Sequence, residues 1–514
     1  MKNILKNYSP ERLFTFFEEI SDIPRGSGNE KGIADYLERF AKDRGLYCKR
    51  DSFNNVFIRK KASLGLENRP SVLFQAHTDM VFVARDGVKH DFLNTPPELM
   101  TDGKYIFAKE TSLGADNGAG VAVMLSLLDD RTLCAPETEY LFTSSEETGM
   151  DGANGFDYSE VTAEYVINLD SEEEFNACIG CAGGMHVKAV IPTERVKTEG
   201  KICSIEISGL ASGHSGVDAD KGRRNAIKLL ALTLNRIYSN YPFHIVSLSG
   251  GTRDNVIPSG AHAVVAFVDN AEAKKARGAV SEVKKELLGI LTKEDRRAFS
   301  VKFSTVGNTA CAEENTVSEK EFNEITSDGM LSVKSTSRLI SALMLSPQGV
   351  TDRYTGKSDG VAGSVNLGTA TSSVYLKNTA ELNYLIRSGN PFFSEKTFAE
   401  IEQLSHVCGG KAELVSRYPG WDSKEGEPLQ RLYADTVREL YGKEAVFSRV
   451  HAGLECGIIY EKLCRRGLKP QIISIGPDID AIHTVDERLS AESLARFYET
   501  VKALIEKVID DCKR

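Results

Sequence analysis

No apolar run in this 514-residue chain approaches the roughly 20 residues that a membrane-spanning helix needs. Residues 1–18 scatter charges among their apolar positions and lack an h-region, so neither a secretory signal nor a membrane anchor is expected. Basic excess is missing too. Lys and Arg number 63 against 73 Asp and Glu, a net charge of -10, and a nucleic-acid partner would call for a basic face. Ten cysteines stand at 48, 134, 178, 181, 203, 311, 408, 456, 464 and 512, with no spacing that forms a disulfide framework. A chain this long buries its own cores and needs no staples, so free thiols in a cytoplasmic protein are the expectation. Cys178-Ile-Gly-Cys181 is a lone CxxC without a second pair, and it reads as incidental thiols. Redox or metal-storage work through Cys178 and Cys181 is the rival to that reading. Low-complexity segments and long linkers are also lacking.

The length asks for two to three folding units. Residues 1–185 alternate between helical and strand-like patterns, which argues a mainly parallel sheet with helices on both faces. Helical stripes run through Pro10–Ile20 and Lys31–Phe40, and Val121–Leu128 is a nearly all-apolar helix buried on both sides. From about 186 the strands become half-polar, as in Cys203–Ser208, His244–Ser249 and Ala261–Val268, and two helices interleave with them. Strand-helix-strand-strand-helix-strand is the order of a ferredoxin-like unit. A similar order recurs to about 421, predicting two tandem copies. After Trp421 the α/β texture returns with helix Leu429–Tyr441, strand Gln471–Ile475 and helix Ala491–Val508. The expected fold is therefore α/β. One discontinuous domain takes 1–185 and 422–514, and an α+β domain of two ferredoxin-like halves is inserted at 186–421.

Four strand-like runs end in metal-ligand chemistry. Ser71–Ala76 leads into His77-Thr78-Asp79, and Tyr140–Ser145 into Glu146-Glu147. Tyr165–Leu169 leads into Asp170, and Gln471–Ile475 runs through Gly476-Pro477 towards His483. Open α/β sheets bind ligands outside the carboxyl ends of their strands. Asp116 joins them from Gly114-Ala115-Asp116-Asn117-Gly118, where glycines permit close approach. Alone, each is readily a turn acid, a helix cap or a surface histidine. As a set, His77, Asp116, Glu147, Asp170 and His483 supply two imidazoles and three carboxylates. A bridging aspartate then gives each of two metals one histidine and one terminal carboxylate. Mixed nitrogen and oxygen donors suit zinc, with manganese or cobalt as alternatives. A water between the metals would lose its proton near neutral pH and attack a polarised amide carbonyl. Asp79, two residues from His77, lies on the same strand face and is placed to hold its other ring nitrogen. Adjacent Glu146 and Glu147 repel unless a cation or proton lies between them.

These residues resemble the M20 metallopeptidase family, and within it the aminoacyl-histidine dipeptidase branch. The likeness extends over most of the chain. It includes Gln75-Ala76-His77-Thr78-Asp79-Met80, Gly114–Gly118, Ser144–Met150, Asn168–Glu173, Gly213-His214-Ser215-Gly216, His451–Gly457 and Ser474–Pro477 with His483. The resemblance implies a two-zinc catalytic domain with an inserted lid. His77 and Asp170 would hold one metal and Glu147 and His483 the other, with Asp116 bridging. Glu146 would be the general base, Asp79 would orient His77, and a cis peptide would follow Asp116. His214 would stabilise the oxyanion. Asn255 and Arg387 would grip the substrate, an arginine fork suiting a terminal carboxylate. His451 and Glu455 would line the amine pocket.

The implied reaction is hydrolysis of unblocked dipeptides, Xaa-His and β-Ala-His among them. The rivals are an N-acyl amino acid deacylase or tripeptidase on the same scaffold, and a non-catalytic metal- or peptide-binding protein. Relatives with a single-copy lid place the lid histidine across a dimer, so a homodimer through the lid domain stays open beside a monomer. Two segments depart from the family. His483 is followed by Thr484-Val485 where relatives more often have Ser-Pro, and 306–330 reads as a variable insertion.

Overall fold

The computed structural model describes residues 3–305, 329–354, 360–376 and 378–511. Cys311, Cys512 and residues 306–328 of the stretch read as an insertion lie outside the described residues. Two compact units form. One holds residues 1–181, 421–450 and 454–514, and the other holds 182–420 with the tripeptide 451–453. His451, grouped by sequence with the segment 422–514, belongs to the second unit.

Strand formation in the first unit follows from runs buried on both sides. In Val72–His77, Val72, Phe74 and Ala76 enter one apolar core while Leu73 enters another, as the two-residue period of a strand dictates. The first core is closed by helices Glu11–Ser21, Lys31–Asp43, Ala115–Asp129, Pro428–Tyr441 and Ala491–Asp511, and the second by helix Glu455–Arg465. The sheet is parallel at its centre, where Thr138–Thr143, Val72–His77, Tyr165–Asn168 and Gln471–Ser474 lie side by side. Both flanks turn antiparallel to this centre, although Val446–Val450 pairs parallel with Asn176–Cys181 at one of them. Tyr47–Arg50 and Val56–Lys60 pair beyond Thr138–Thr143, and Asn176–Cys181 and Trp421–Asp422 beyond Gln471–Ser474. The four parallel strands thus all deliver their carboxyl ends to one edge.

A smaller sheet fixes the approach to His483. Ile479–Asp480 pairs antiparallel with Arg488–Ser490, which pairs in turn with Tyr105–Ala108. The intervening loop carries His483.

The second unit is built on a sheet that is nine-stranded among the described residues and antiparallel throughout, with a separate two-stranded pairing of Arg195–Val196 and Met330–Leu331. One half runs Lys201–Ser208, helix Ala226–Tyr238, Phe243–Gly250, Ala261–Phe267, helix Asn270–Ile290, Ser300–Thr305. Its strands stand in the spatial order fourth, first, third, second. The other half repeats that arrangement with Gly183–Pro192, helix Val333–Leu345, Val361–Ser372, Thr379–Ser388, helix Pro391–Val407 and Lys411–Tyr418. The halves join where Leu248–Gly250 pairs with Ala370–Ser372. They are nested, not tandem as the recurring pattern suggested. The first strand of the second half, Gly183–Pro192, precedes the whole first half and pairs with Thr379–Ser388 across almost two hundred residues.

Candidate functional site

The edge made by the four parallel strand ends gathers seven residues singled out by sequence: His77, Asp79, Asp116, Glu146, Glu147, Asp170 and His483. His77 ends its strand and is 1% exposed. Asp116 enters from the turn Leu113–Asp116 ahead of a helix, with Gly114 at φ 75°. A Cβ on Gly120 would lie 2.4 Å from the Leu169 carbonyl, so that helix approaches the strand end only because the position is glycine. The Asp116-Asn117 peptide is cis.

One carboxylate stands between the two imidazoles. His77 Nε2 is 2.9 Å from Asp116 Oδ1, and His483 Nε2 is 3.1 Å from Asp116 Oδ2. Each imidazole then has an acid of its own. Asp170 Oδ1 lies 3.3 Å from His77 Nε2, and Glu147 Oε1 lies 2.9 Å from His483 Nε2. Candidate ligand atoms of His77, Asp116 and Asp170 fall within 4.8 Å of one another, as do those of Asp116, Glu147 and His483. A third such group, His77, Glu146 and Glu147, shows that Glu146 also reaches this space.

The electrostatics describe a shortage of positive charge. Burial pushes the Asp170 carboxyl up to about 6 and the Glu172 carboxyl up to about 7, and neighbouring acids add to both shifts. His483 is raised to about 10 by its hydrogen bonds to Asp116 and Glu147. His77 is raised well above its ordinary value although burial opposes the charge, because Asp170 and Asp116 surround it. Imidazoles held so strongly as cations, among so many acids, mark a place built for other positive charge. Two nitrogens and several carboxylate oxygens fit a pair of divalent cations, and His77, Asp116 and Asp170 would hold one and Asp116, Glu147 and His483 the other.

Asp79 does more than face a ring. His77 Nδ1 is 3.1 Å from the Asp79 main-chain carbonyl and 3.4 Å from its carboxylate. That carboxylate accepts the amides of Glu146 (3.0 Å) and Glu147 (3.3 Å) and the Ser27 hydroxyl (2.8 Å). It therefore orders the turn presenting both glutamates, in which Ser145 takes φ 55°.

Glu455 is fully buried. It accepts from Gln75 Nε2 and from the Thr143 hydroxyl at 2.7 Å, and its other oxygen has no hydrogen-bond partner among the described residues. Burial pushes its carboxyl from 4.5 up to about 8. A raised folded-state value means stability that is fully present below pH 4.5 and lost as pH rises through about 8. The slope is about 1.4 kcal/mol per pH unit between those limits. Glu455→Gln, always neutral, is expected to melt like the wild type near pH 4.5 and above it near pH 9. Melting curves with the same pH dependence in both proteins would contradict a protonated Glu455.

The second unit brings His214, Arg387 and His451 together. Arg387 is 5% exposed, donates to the Tyr418 hydroxyl at 2.7 Å and lies with Nη2 3.2 Å from His214 Nε2. Its Nε has no partner among the described residues. His214 Nδ1 accepts the amides of Gly216 and Val217 at 3.3 and 3.1 Å. His451 Nε2 is 2.7 Å from the Ser364 hydroxyl, and burial lowers it to about 4, helped by Arg387. Asn255 joins through its carbonyl, which accepts Ser215 N–H at 2.9 Å.

Sequence reasoning gave no role to Arg25 or Glu487, both buried against the Asp116 turn. Glu487 was visible only as one acid of Asp486-Glu487, and Arg25 stands in a loop with no periodicity to read.

Cys178, Cys181 and Cys456 are buried in an apolar cluster. Among the described residues no cysteine joins a candidate metal-ligand group, and no helix is long and apolar enough to cross a membrane.

Over 507 residues the chain is 31% identical to the cytosol non-specific dipeptidase of Escherichia coli (strain K12), covering 98% of this chain and 99% of that one. An aminoacylhistidine dipeptidase structure from Vibrio alginolyticus superposes with a TM-score of 0.84 at 29% identity, covering 99% of both chains. The aminopeptidase PepT structure from Bacillus cereus shares the fold, with a TM-score of 0.54 at 16% identity, 98% of this chain and 99% of that one being covered. Residues 73–507 match the model of peptidase family M20/M25/M40, and to that family of hydrolases this chain belongs.

Proposed function

We propose that this protein is a dinuclear metallo-dipeptidase that hydrolyses unblocked dipeptides, Xaa-His and β-Ala-His among them. One observation carries the reading: the two oxygens of Asp116 face two different histidines, each with its own second carboxylate. Two divalent cations bound there, zinc first with manganese or cobalt as alternatives, would polarise the scissile carbonyl and acidify a water. Glu146 takes the water proton on its carboxylate and returns it to the leaving amine. Burial favours the protonated form of Glu146, pushing its carboxyl well above the usual range, so the residue is suited to holding that proton. Asp79 keeps Glu146 and Glu147 apart and aimed through their amides.

In the second unit, His214 and Arg387 supply anion contacts. With Nδ1 accepting amides, the neutral His214 ring carries its proton on Nε2, which then faces the Arg387 guanidinium donor to donor. Anionic oxygens of the substrate would satisfy the two donors. We assign the Arg387 fork to the substrate carboxylate and His214 to the developing oxyanion. The names of the E. coli and Vibrio relatives, a cytosol dipeptidase and an aminoacylhistidine dipeptidase, support the substrate class and a cytoplasmic setting.

The test is a panel of β-Ala-His, Gly-His, Leu-Gly, an N-acetyl amino acid and a tripeptide, assayed with chelator and after zinc or manganese is restored. Cleavage of the free dipeptides should vanish with chelator and return with metal. Cleavage of the acetylated compound alone would replace this reading with a deacylase.

A further inference from the structure

Four consecutive amides of the Asp116 turn point at a single buried side chain. Glu487 Oε2 accepts Leu113 N–H at 2.7 Å and Gly114 N–H at 2.9 Å, while Oε1 accepts Ala115 N–H at 2.8 Å and Asp116 N–H at 3.3 Å. Arg25 grips the same turn from its carbonyl side. Its Nη2 donates to the Gly114 carbonyl, and its Nη1 donates to the carbonyls of Thr78 (3.1 Å) and Asp79 (3.3 Å), next to His77. Both side chains are at most 3% exposed. The glycines agree with this grip. A Cβ on Gly114 would sit 2.8 Å from Arg25 Nη2, and one on Gly118 would sit 2.7 Å from it.

Glu487 follows His483 by four residues and leads into Arg488–Ser490, which is paired to Tyr105–Ala108. The carboxylate that shapes the Asp116 turn is therefore rooted beside the last candidate ligand. Buried amides need partners, and no side chain but Glu487 reaches these four among the described residues.

We infer that Glu487 and Arg25 are positioning residues that hold Asp116 and His483 in register before any cation arrives, so that the metal meets a preformed cradle. The inference rests on the metal-centre reading above. In this role neither residue touches a cation. Each acts through backbone groups of the ligand-bearing turns.

Calorimetric titration of chelator-stripped protein with Zn2+ tests it, comparing wild type, Glu487→Gln and Val501→Ala. The glutamine keeps the shape but turns a donor towards two of the four amides. Zn2+ affinity is expected to fall about 10–100-fold in Glu487→Gln, the usual effect of losing a group that supports metal ligands. Val501→Ala removes buried methyls from the closing helix and should keep wild-type affinity, which separates positioning from plain loss of stability. Wild-type affinity in Glu487→Gln would overturn the inference alone. A wild-type protein that takes up no Zn2+ would overturn the metal-centre reading with it. If Glu487→Gln does not fold, hydrogen exchange on stripped wild type decides. The amides of 113–116 should be protected without metal, and protection that appears only on adding Zn2+ would overturn the proposal.

Discussion

Asp116→Ala is expected to emerge from dialysis with neither cation and with hydrolysis reduced by about three orders of magnitude or more. Each half of the centre shares this one carboxylate, Oδ1 towards His77 and Oδ2 towards His483. Without it the halves keep only His77 with Asp170 and His483 with Glu147. Two donors are too few to hold a cation against water where three or four are usual. The several kcal/mol of charge stabilisation that bound ions would contribute is lost with them, at 1.36 kcal/mol per tenfold in rate. Asp170→Ala provides the contrast, since it touches the His77 half only and should release one ion. Elemental analysis of both dialysed variants checks this. One ion retained by Asp116→Ala would show that the carboxylate serves a single metal and does not bridge.

Such a prediction could be framed from sequence because the ligand-bearing strands announce themselves. Val72–His77 and Tyr165–Asn168 are short apolar runs buried on both faces, and each ends in a residue with nothing apolar about it. Parallel strands bring such endings to one edge, so four separate stretches of chain predict one site. Less legible were the relations that depend on distant pairing. The second half of the other unit borrows its first strand, Gly183–Pro192, from ahead of the first half, and alternation along a strand carries no information about its neighbour. The same holds in the first unit. The strands flanking the parallel centre run antiparallel, and the direction of each follows from its connections more than from its composition.

The supporting shell was hidden for a different reason. Asp79 suggested itself by its spacing from His77, yet its carboxylate mainly orders the Glu146-Glu147 turn, a contact across 67 residues. Glu487 and Arg25 act on backbone amides and carbonyls, which every residue possesses, so no partner side chain marks them in the sequence. Glu455 was singled out through the family resemblance, as lining the amine pocket, but its full burial against Gln75 and Thr143 is visible only in the fold.

Glu146→Gln is expected to keep both cations and substrate affinity while turnover falls about 10²–10⁴-fold. The substitution preserves size and removes the group that takes the proton. Its backbone anchor, the amide bonded to Asp79, is untouched. A general base works only when ionised, so kcat/KM in the wild type should rise with pH through the Glu146 value and then level off. Burial sets that value high, with Asp170, Glu455 and Glu147 adding to it and His77 opposing, while bound cations would pull it back down. The rising limb should disappear in Glu146→Gln because nothing remains there to titrate. Metal content makes the test sharp, since Glu146 also falls within ligand distance of His77 and Glu147. A variant that loses one cation along with activity would make Glu146 a ligand and leave the base unassigned. A variant with full metal and full turnover would remove it from the chemistry altogether.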